Sequence, residues 1–346
     1  MSADVPGRWK RRLLALGLAL LGALVAGEIA VRISVGAPMA ERLPILMMRA
    51  NPVRGWEMVP GLEHYTYQHR VRVNALGLRG AEVGEKRPGE VRVLALGDSL
   101  IYGQGVGDDE TVPAALEAEL VRRAPERPWS VVNSGHRSYD TAQELALLEE
   151  LGPRIQPDVV LLCWYWNDVN ERNIARTYEN LKTRGELAFD TGDRLEGAQR
   201  LRWQAKQLVR RSALFMWAHD VLGSKGEPFE PAYFEKGLER LEHYLDRLRA
   251  LGAERGFVPV FVVVPDANVL AGRRETQPFA ERAAALARER GLEVVELQPA
   301  LEPLVAGSGR LPILPYDGHY DAEANRAMGR WLAERVLALD LPARAQ

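Results

Sequence analysis

From Val91 onward, short apolar runs rich in β-branched residues alternate with stretches of helical period, which predicts βαβ units and a mainly parallel sheet. Five strands are expected, at Val91–Leu96, Trp129–Val132, Asp158–Cys163, Val258–Val264 and Leu292–Leu297. Helices are expected near Val112–Arg123, Thr141–Leu151, Ala232–Arg255, Gln277–Arg290 and Ala322–Ala338. The third and fourth strands are near-continuous apolar runs, the pattern of strands covered on both faces. The expected fold class is therefore α/β, with helices in layers on either side of one five-stranded sheet.

The flanking segments follow other periods. Arg8, Lys10, Arg11 and Arg12 precede Leu13–Gly27, which holds seven Leu and no charge, followed by Glu28, Ile29, Ala30, Val31 and Arg32. Seven Leu at about −0.5 kcal/mol each outweigh one acid placed off-centre, so the segment is expected to insert as a transmembrane helix over residues 13–31. No small-x-small cleavage site follows, and Pro38 stands after Ala37, so an uncleaved signal anchor is favoured over a removed signal peptide. Positive charge before the segment predicts a cytoplasmic N-terminus, with everything after about residue 36 outside the inner membrane. Residues 1–36 are thus read as tail and anchor. Residues 37–90 form a Pro- and Gly-rich collar, in which Tyr65, Tyr67, His69, Val71 and Val73 alternate with polar residues as in a half-buried strand. Residues 91–346 form the main domain, interrupted by an insertion at about 169–231. Within it Leu201, Leu208, Phe215 and Leu222 recur at seven-residue spacing in a helix expected over Arg200–Leu222, with Arg200, Arg202, Lys206, Arg210 and Arg211 mixed in. A lid, a helix resting on an anionic membrane surface, or an extra helix docked on the core all suit that pattern.

Composition narrows the function classes. Hydrophobic residues make up 47% and charged residues 27%, ordinary for a globular core, and a formal net charge of −2 gives no electrostatic case for nucleic acid. The single Cys163 excludes an internal disulfide and a thiolate metal cage, and its apolar run predicts burial. No His-x-x-x-His pattern or carboxylate cluster has metal-ligand spacing, so neither metal nor cofactor is expected.

Two short segments carry the candidate chemistry. Gly97-Asp98-Ser99-Leu100 follows the first core strand directly, and Asp317-Gly318-His319 precedes the last helix. A serine hydroxyl is a weak nucleophile at neutral pH, and needs an imidazole to take its proton and a carboxylate to orient that imidazole. A serine at the carboxyl end of a parallel strand lies in the crevice where open α/β sheets bind ligands. Gly97 is expected to allow a sharp turn there.

The tetrapeptide resembles the first block of the SGNH, or GDSL, hydrolase superfamily. Val131-Val132-Asn133-Ser134-Gly135 resembles the second block, Trp164-Tyr165-Trp166-Asn167-Asp168 the third, and Asp317 with His319 the last. The anchor, Gly55-Trp56 and the Asn74–Gly80 turn resemble a bacterial membrane-anchored branch of that superfamily. The resemblance implies a strand order 2-1-3-4-5 and an esterase in which Ser99, His319 and Asp317 are catalytic. It also implies an oxyanion hole from Ser99, Gly135 and Asn167. The implied substrate is an ester or acylated glycan, with O-acetyl groups on cell-envelope or exported polysaccharide suggested by location. Acyl transfer to a sugar hydroxyl and a non-catalytic assembly module are the alternatives.

Two departures from the superfamily pattern stand out. Tyr165 replaces the usual Gly of the third block, so Trp164, Tyr165 and Trp166 are expected to narrow or line the acyl or sugar pocket. Asp-x-His replaces Asp-x-x-His, a form resembling that of relatives that include polysaccharide O-acetyltransferases. His136 is a candidate substrate contact, Gly103–Gly107 a flexible active-site loop, and Asp98 and Asp168 are expected to make structural hydrogen bonds.

Overall fold

The computed structural model describes residues 6–42, 45–169, 173–183, 187–188, 197–223 and 231–341. Part of the insertion therefore lies outside the described residues. The chain divides into two compact units. One comprises Met1–Ala40, Gly192–Glu227 and Pro315–Asp317, and the other comprises Glu41–Thr191, Pro228–Leu314 and Gly318–Gln346.

The larger unit is built on five parallel strands: β5 (Val91–Gly97), β6 (Trp129–Asn133), β7 (Val159–Trp164), β9 (Val258–Val263) and β10 (Glu293–Glu296). Their order is β10-β9-β7-β5-β6. In strand sequence this is the expected 2-1-3-4-5, and all four pairings are parallel. Side chains alternate between the two faces. Val93 and Ala95 of β5, Leu161 of β7 and Val262 of β9 join one buried cluster with helices α3 (Val112–Arg123), α11 (Gln298–Ser308) and α12 (Ala322–Leu337). Leu94, Leu96, Leu162 and Phe261 point the other way. There they meet α4 (Thr141–Ile155), α8 (Pro231–Arg255) and α10 (Gln277–Glu289). Short helices α2 (Ser99–Tyr102), α5 (Ile174–Lys182) and α9 (Ala267–Leu270) complete this unit.

Before the sheet come two hairpins rather than one strand. β1 (Met47–Asn51) pairs with β2 (Gly55–Met58), and β8 (Leu187–Ala188) adds to β1. β3 (Glu63–Thr66) pairs with β4 (His69–Arg72). The alternation from Tyr65 to Val73 predicted a single strand. The chain instead reverses at Tyr67, whose φ is +51°, and Val71 and Val73 enter the same core cluster as Trp56 and Met58.

The smaller unit contains the long apolar helix α1 (Pro6–Ser34), then α6 (Gly197–Val209) and α7 (Ala213–Gly223). One continuous helix over Arg200–Leu222 was expected, and two are present. The break falls where the Ser212 hydroxyl accepts the Phe215 N–H at 3.1 Å. The Glu28 carboxylate accepts the N–H groups of Ala213 and Leu214, both at 2.9 Å, so the first turn of α7 is capped by a side chain from α1.

Candidate active site

Ser99 opens α2 directly beyond β5, held there by its neighbour. The Asp98 carboxylate accepts the Leu100 N–H at 2.8 Å and caps the short helix. Gly97 is required for space rather than for a left-handed turn. A Cβ there would lie 2.3 Å from Cγ1 of Ile101, which α2 folds back onto the strand end.

His319 reaches Ser99 from 220 residues away: its Nε2 lies 2.8 Å from the Ser99 Oγ. A small β-bridge between Ile313 and Tyr320 and the Leu314 N–H bond to the His319 carbonyl, 2.7 Å, fix the histidine's backbone. Tyr320 anchors that bridge by donating to the Pro265 carbonyl at 2.7 Å, and Asp321 caps α12 by accepting from Glu323 and Ala324. Asp317 stands two residues before His319, in the turn Pro315–Asp317.

Gly135 follows β6. Ser134 N–H donates to the Ala95 carbonyl and His136 N–H to the Gly97 carbonyl, each at 3.0 Å, which extends the parallel ladder past the strand ends. A Cβ on Gly135 would lie 2.1 Å from the Tyr102 nitrogen, so only glycine fits against α2. The Gly135 N–H itself donates to the Asn133 Oδ1 at 3.0 Å. Asn167, after β7, donates from Nδ2 to the Asp98 Oδ2 at 3.2 Å. Asp98 therefore ties together the Ser99 helix and the Asn167 amide, while its burial raises its carboxyl above the ordinary range against the pull of these bonds.

Several other expectations are corrected. Trp164 is 1% exposed and packs in the core near Phe261, whereas Tyr165 and Trp166 are half-buried. His136 is wholly buried. Its Nδ1 lies 2.9 Å from the Ser134 carbonyl, and its ring stacks on Tyr139 at 4.4 Å, which makes it a packing residue. Gly103–Val106 is buried and clamped rather than flexible. The Arg79 guanidinium donates to the carbonyls of Tyr102, Gly103 and Val106 at 2.7, 2.6 and 2.8 Å, and Gly105 N–H donates to the Thr66 hydroxyl. Arg79 is the organising residue of this loop. Its only signal was an arginine inside an apolar turn, Leu78-Arg79-Gly80. Asp168 makes the expected structural bond, accepting the Tyr165 N–H at 2.8 Å. Cys163 is buried as expected, and burial pushes its thiol well above the usual range.

A serine hydroxyl and an imidazole are in hydrogen-bond contact at the carboxyl edge of a parallel sheet, the pairing that nucleophilic acyl chemistry requires. The family model described as GDSL-like lipase/acylhydrolase matches residues 95–327, so the chain belongs to that family and is a carboxylic ester hydrolase. Solved structures similar to it include an alpha/beta hydrolase from the metagenome of Lake Arreo, Spain. It is 17% identical, with 72% of this chain and 94% of that chain covered and a TM-score of 0.43. Another is a catalytic mutant of an acetylxylan esterase from Geobacillus stearothermophilus, 15% identical, covering 74% of this chain and 97% of that one, with a TM-score of 0.43. Comparison with curated proteins gives no match.

Proposed function

We propose that the protein is a membrane-anchored serine esterase whose nucleophile is Ser99 and whose general base is His319. The observation that carries this reading is the 2.8 Å contact between Nε2 and Oγ. The Ser99 Oγ attacks the ester carbonyl carbon as His319 Nε2 takes the hydroxyl proton. Asp317 orients the imidazole and stabilises its positive charge. The carbonyl oxygen becomes an oxyanion, met by the N–H groups of Ser99 and Gly135 and by the Nδ2 proton of Asn167 that Asp98 leaves free. Gly135 shares its N–H between the Asn133 Oδ1 and the oxyanion. Collapse breaks the C–O bond to the alcohol, which leaves with the proton held by His319. A water, deprotonated by the same imidazole, then attacks the acyl-enzyme and releases the carboxylate and Ser99.

The anchor is α1: Trp9–Ser34 spans 26 residues, its most apolar 18-residue stretch has a mean hydropathy of 2.2, and its leucines are exposed. With its basic N-terminal flank on the cytoplasmic side, the esterase faces the cell envelope, where O-acetyl groups on exported polysaccharide are the fitting substrate. The Asp-x-His spacing of Asp317 and His319 also suits acyl transfer to a sugar hydroxyl, which product analysis with a labelled acetyl donor separates from hydrolysis.

Hydrolysis of short p-nitrophenyl esters and labelling by a fluorophosphonate test the assignment. Both are expected to disappear in Ser99→Ala with the fold intact. Full activity in that variant overturns it.

A further inference from the structure

The smaller unit exposes an apolar surface that its own packing leaves uncovered. Leu201 and Leu208 on α6 are each 68% exposed and Leu222 on α7 is 85% exposed, with Phe215, Trp217 and Val221 also turned outward. On a helix of 3.6 residues per turn, Leu201, Ala205 and Leu208 share one stripe, and Arg202 and Lys206 border it. Between residues 197 and 223 stand five cations, Arg200, Arg202, Lys206, Arg210 and Arg211, against one acid, Asp220.

The junction of α6 and α7, at Arg211–Leu214, is fixed to one end of α1. Glu28 accepts from the Ser212 hydroxyl at 2.7 Å and from the Ala213 and Leu214 N–H groups at 2.9 Å. Arg32 pairs with Glu28 at 2.7 Å and donates to the Arg211 carbonyl at 2.7 Å. A Cβ on Gly27 would meet a Leu214 methyl at 3.2 Å, so a glycine in α1 makes room for α7. At 1.5 Å per residue Glu28 lies about 28 Å along the helix from Trp9, close to the roughly 30 Å thickness of a bilayer's hydrocarbon core.

We infer that α6 and α7 are interfacial helices that lie in the outer leaflet beside the end of α1, with their apolar faces in the acyl-chain boundary and their arginines and lysine on anionic phospholipid headgroups. The inference rests on the reading of α1 as a membrane span. It explains why an otherwise apolar span carries Glu28 and Arg32: they are the socket for α7, and their charges are neutralised there. A helix with an apolar face and a basic flank settles about 5–10 Å into the headgroup region, and each lysine or arginine adds attraction to anionic lipid. The exposed apolar residues of α7 belong to a helix packed on α1, and the cations of this segment complement an acidic leaflet. Together these favour lipid over a protein partner.

The test uses the full chain in vesicles of phosphatidylcholine with roughly 30% phosphatidylglycerol. A bimane label is placed at Leu208→Cys or Leu222→Cys, with Leu18→Cys as the reference for the span; native Cys163 is buried and stays unlabelled. Doxyl lipids carrying the quencher near the headgroup are expected to reduce emission at positions 208 and 222 about twofold or more, and deep-chain doxyl lipids to do so at 18. Replacing the phosphatidylglycerol, or changing the five cations to Gln, is expected to at least halve quenching at 208 and 222 and to leave 18 unaffected. Quenching at 18 without quenching at 208 or 222 overturns the interfacial proposal and leaves the anchor standing. No quenching at 18 overturns the anchor itself. Equal quenching in phosphatidylcholine alone overturns the anionic assignment, and an emission shift that depends on protein concentration without doxyl quenching points to a second copy and overturns the lipid assignment.

Discussion

Acid should loosen this fold through two imidazoles that the core holds neutral. His136 is fully buried, and burial, followed by the charge of the Arg54 guanidinium, pulls its pKa down from 6.5 to about 3. His64 is also fully buried, with its Nε2 3.2 Å from the Tyr102 hydroxyl. Burial, then the Arg79 charge, lowers it to about 4, against the opposing pull of Asp108. Both native values lie below those of the unfolded chain. Their contribution to stability is therefore complete above about pH 6.5 and is lost as pH falls toward the native values, because only the unfolded chain takes up the protons. At pH 5 each ring is about 1.5 pH units below its unfolded pKa, which at 1.36 kcal/mol per unit is about 2 kcal/mol apiece and about 4 together. That is a large share of a typical stability of about 5–15 kcal/mol. Thermal unfolding of the full chain in detergent, followed by circular dichroism near pH 7.5 and pH 5, reads the loss. The buried carboxyl groups of Glu144 and Asp168, raised well above their usual range by burial, act in the opposite direction, so the decisive quantity is the difference between variants. His136→Phe should shrink the acid-induced loss by about 2 kcal/mol relative to the parent. An identical loss in both, or a His136 ring resonance titrating near its unperturbed value, refutes the reasoning.

The remaining predictions follow from the same contacts. Glu144 is raised by burial and by the neighbouring Asp98 and Asp140, so its stabilising effect exists below the unfolded carboxyl pKa and is lost as pH rises; Glu144→Gln should raise the melting temperature near pH 8 and change it little near pH 4. Gly135→Ala forces a Cβ to within 2.1 Å of the Tyr102 nitrogen, and should cost about 3 kcal/mol of stability by denaturant unfolding and lower kcat for p-nitrophenyl acetate about a hundredfold. Arg79→Lys removes the planar fork that holds three carbonyls behind α2, so it should lose about 3 kcal/mol and expose the Gly103–Val106 amides to hydrogen exchange.

Local period and turn chemistry made the five strands of the sheet and five of its flanking helices legible in the sequence alone, while α11 carried no such signal. Runs such as Val159–Cys163 have one low-energy use, a strand covered on both faces, and Asp98-Ser99 after β5 could only stand at the sheet's carboxyl edge. The same applies to the apolar length of α1, which needs no partner to be recognised. Tertiary structure decided the rest, because it depends on atoms distant in sequence. The reversal at Tyr67 broke a good strand pattern when burying Val71 and Val73 outweighed local alternation. The heptad-like spacing through Leu222 was cut at Ser212 by a carboxylate 184 residues earlier. The contact of His319 with Ser99, the clamp of Arg79 on the glycine loop and the removal of Trp164 and His136 into the core were likewise settled by packing. Chain period reports only which face of an element is apolar, whereas hydrogen-bond partners are chosen by what the folded core brings within about 3 Å.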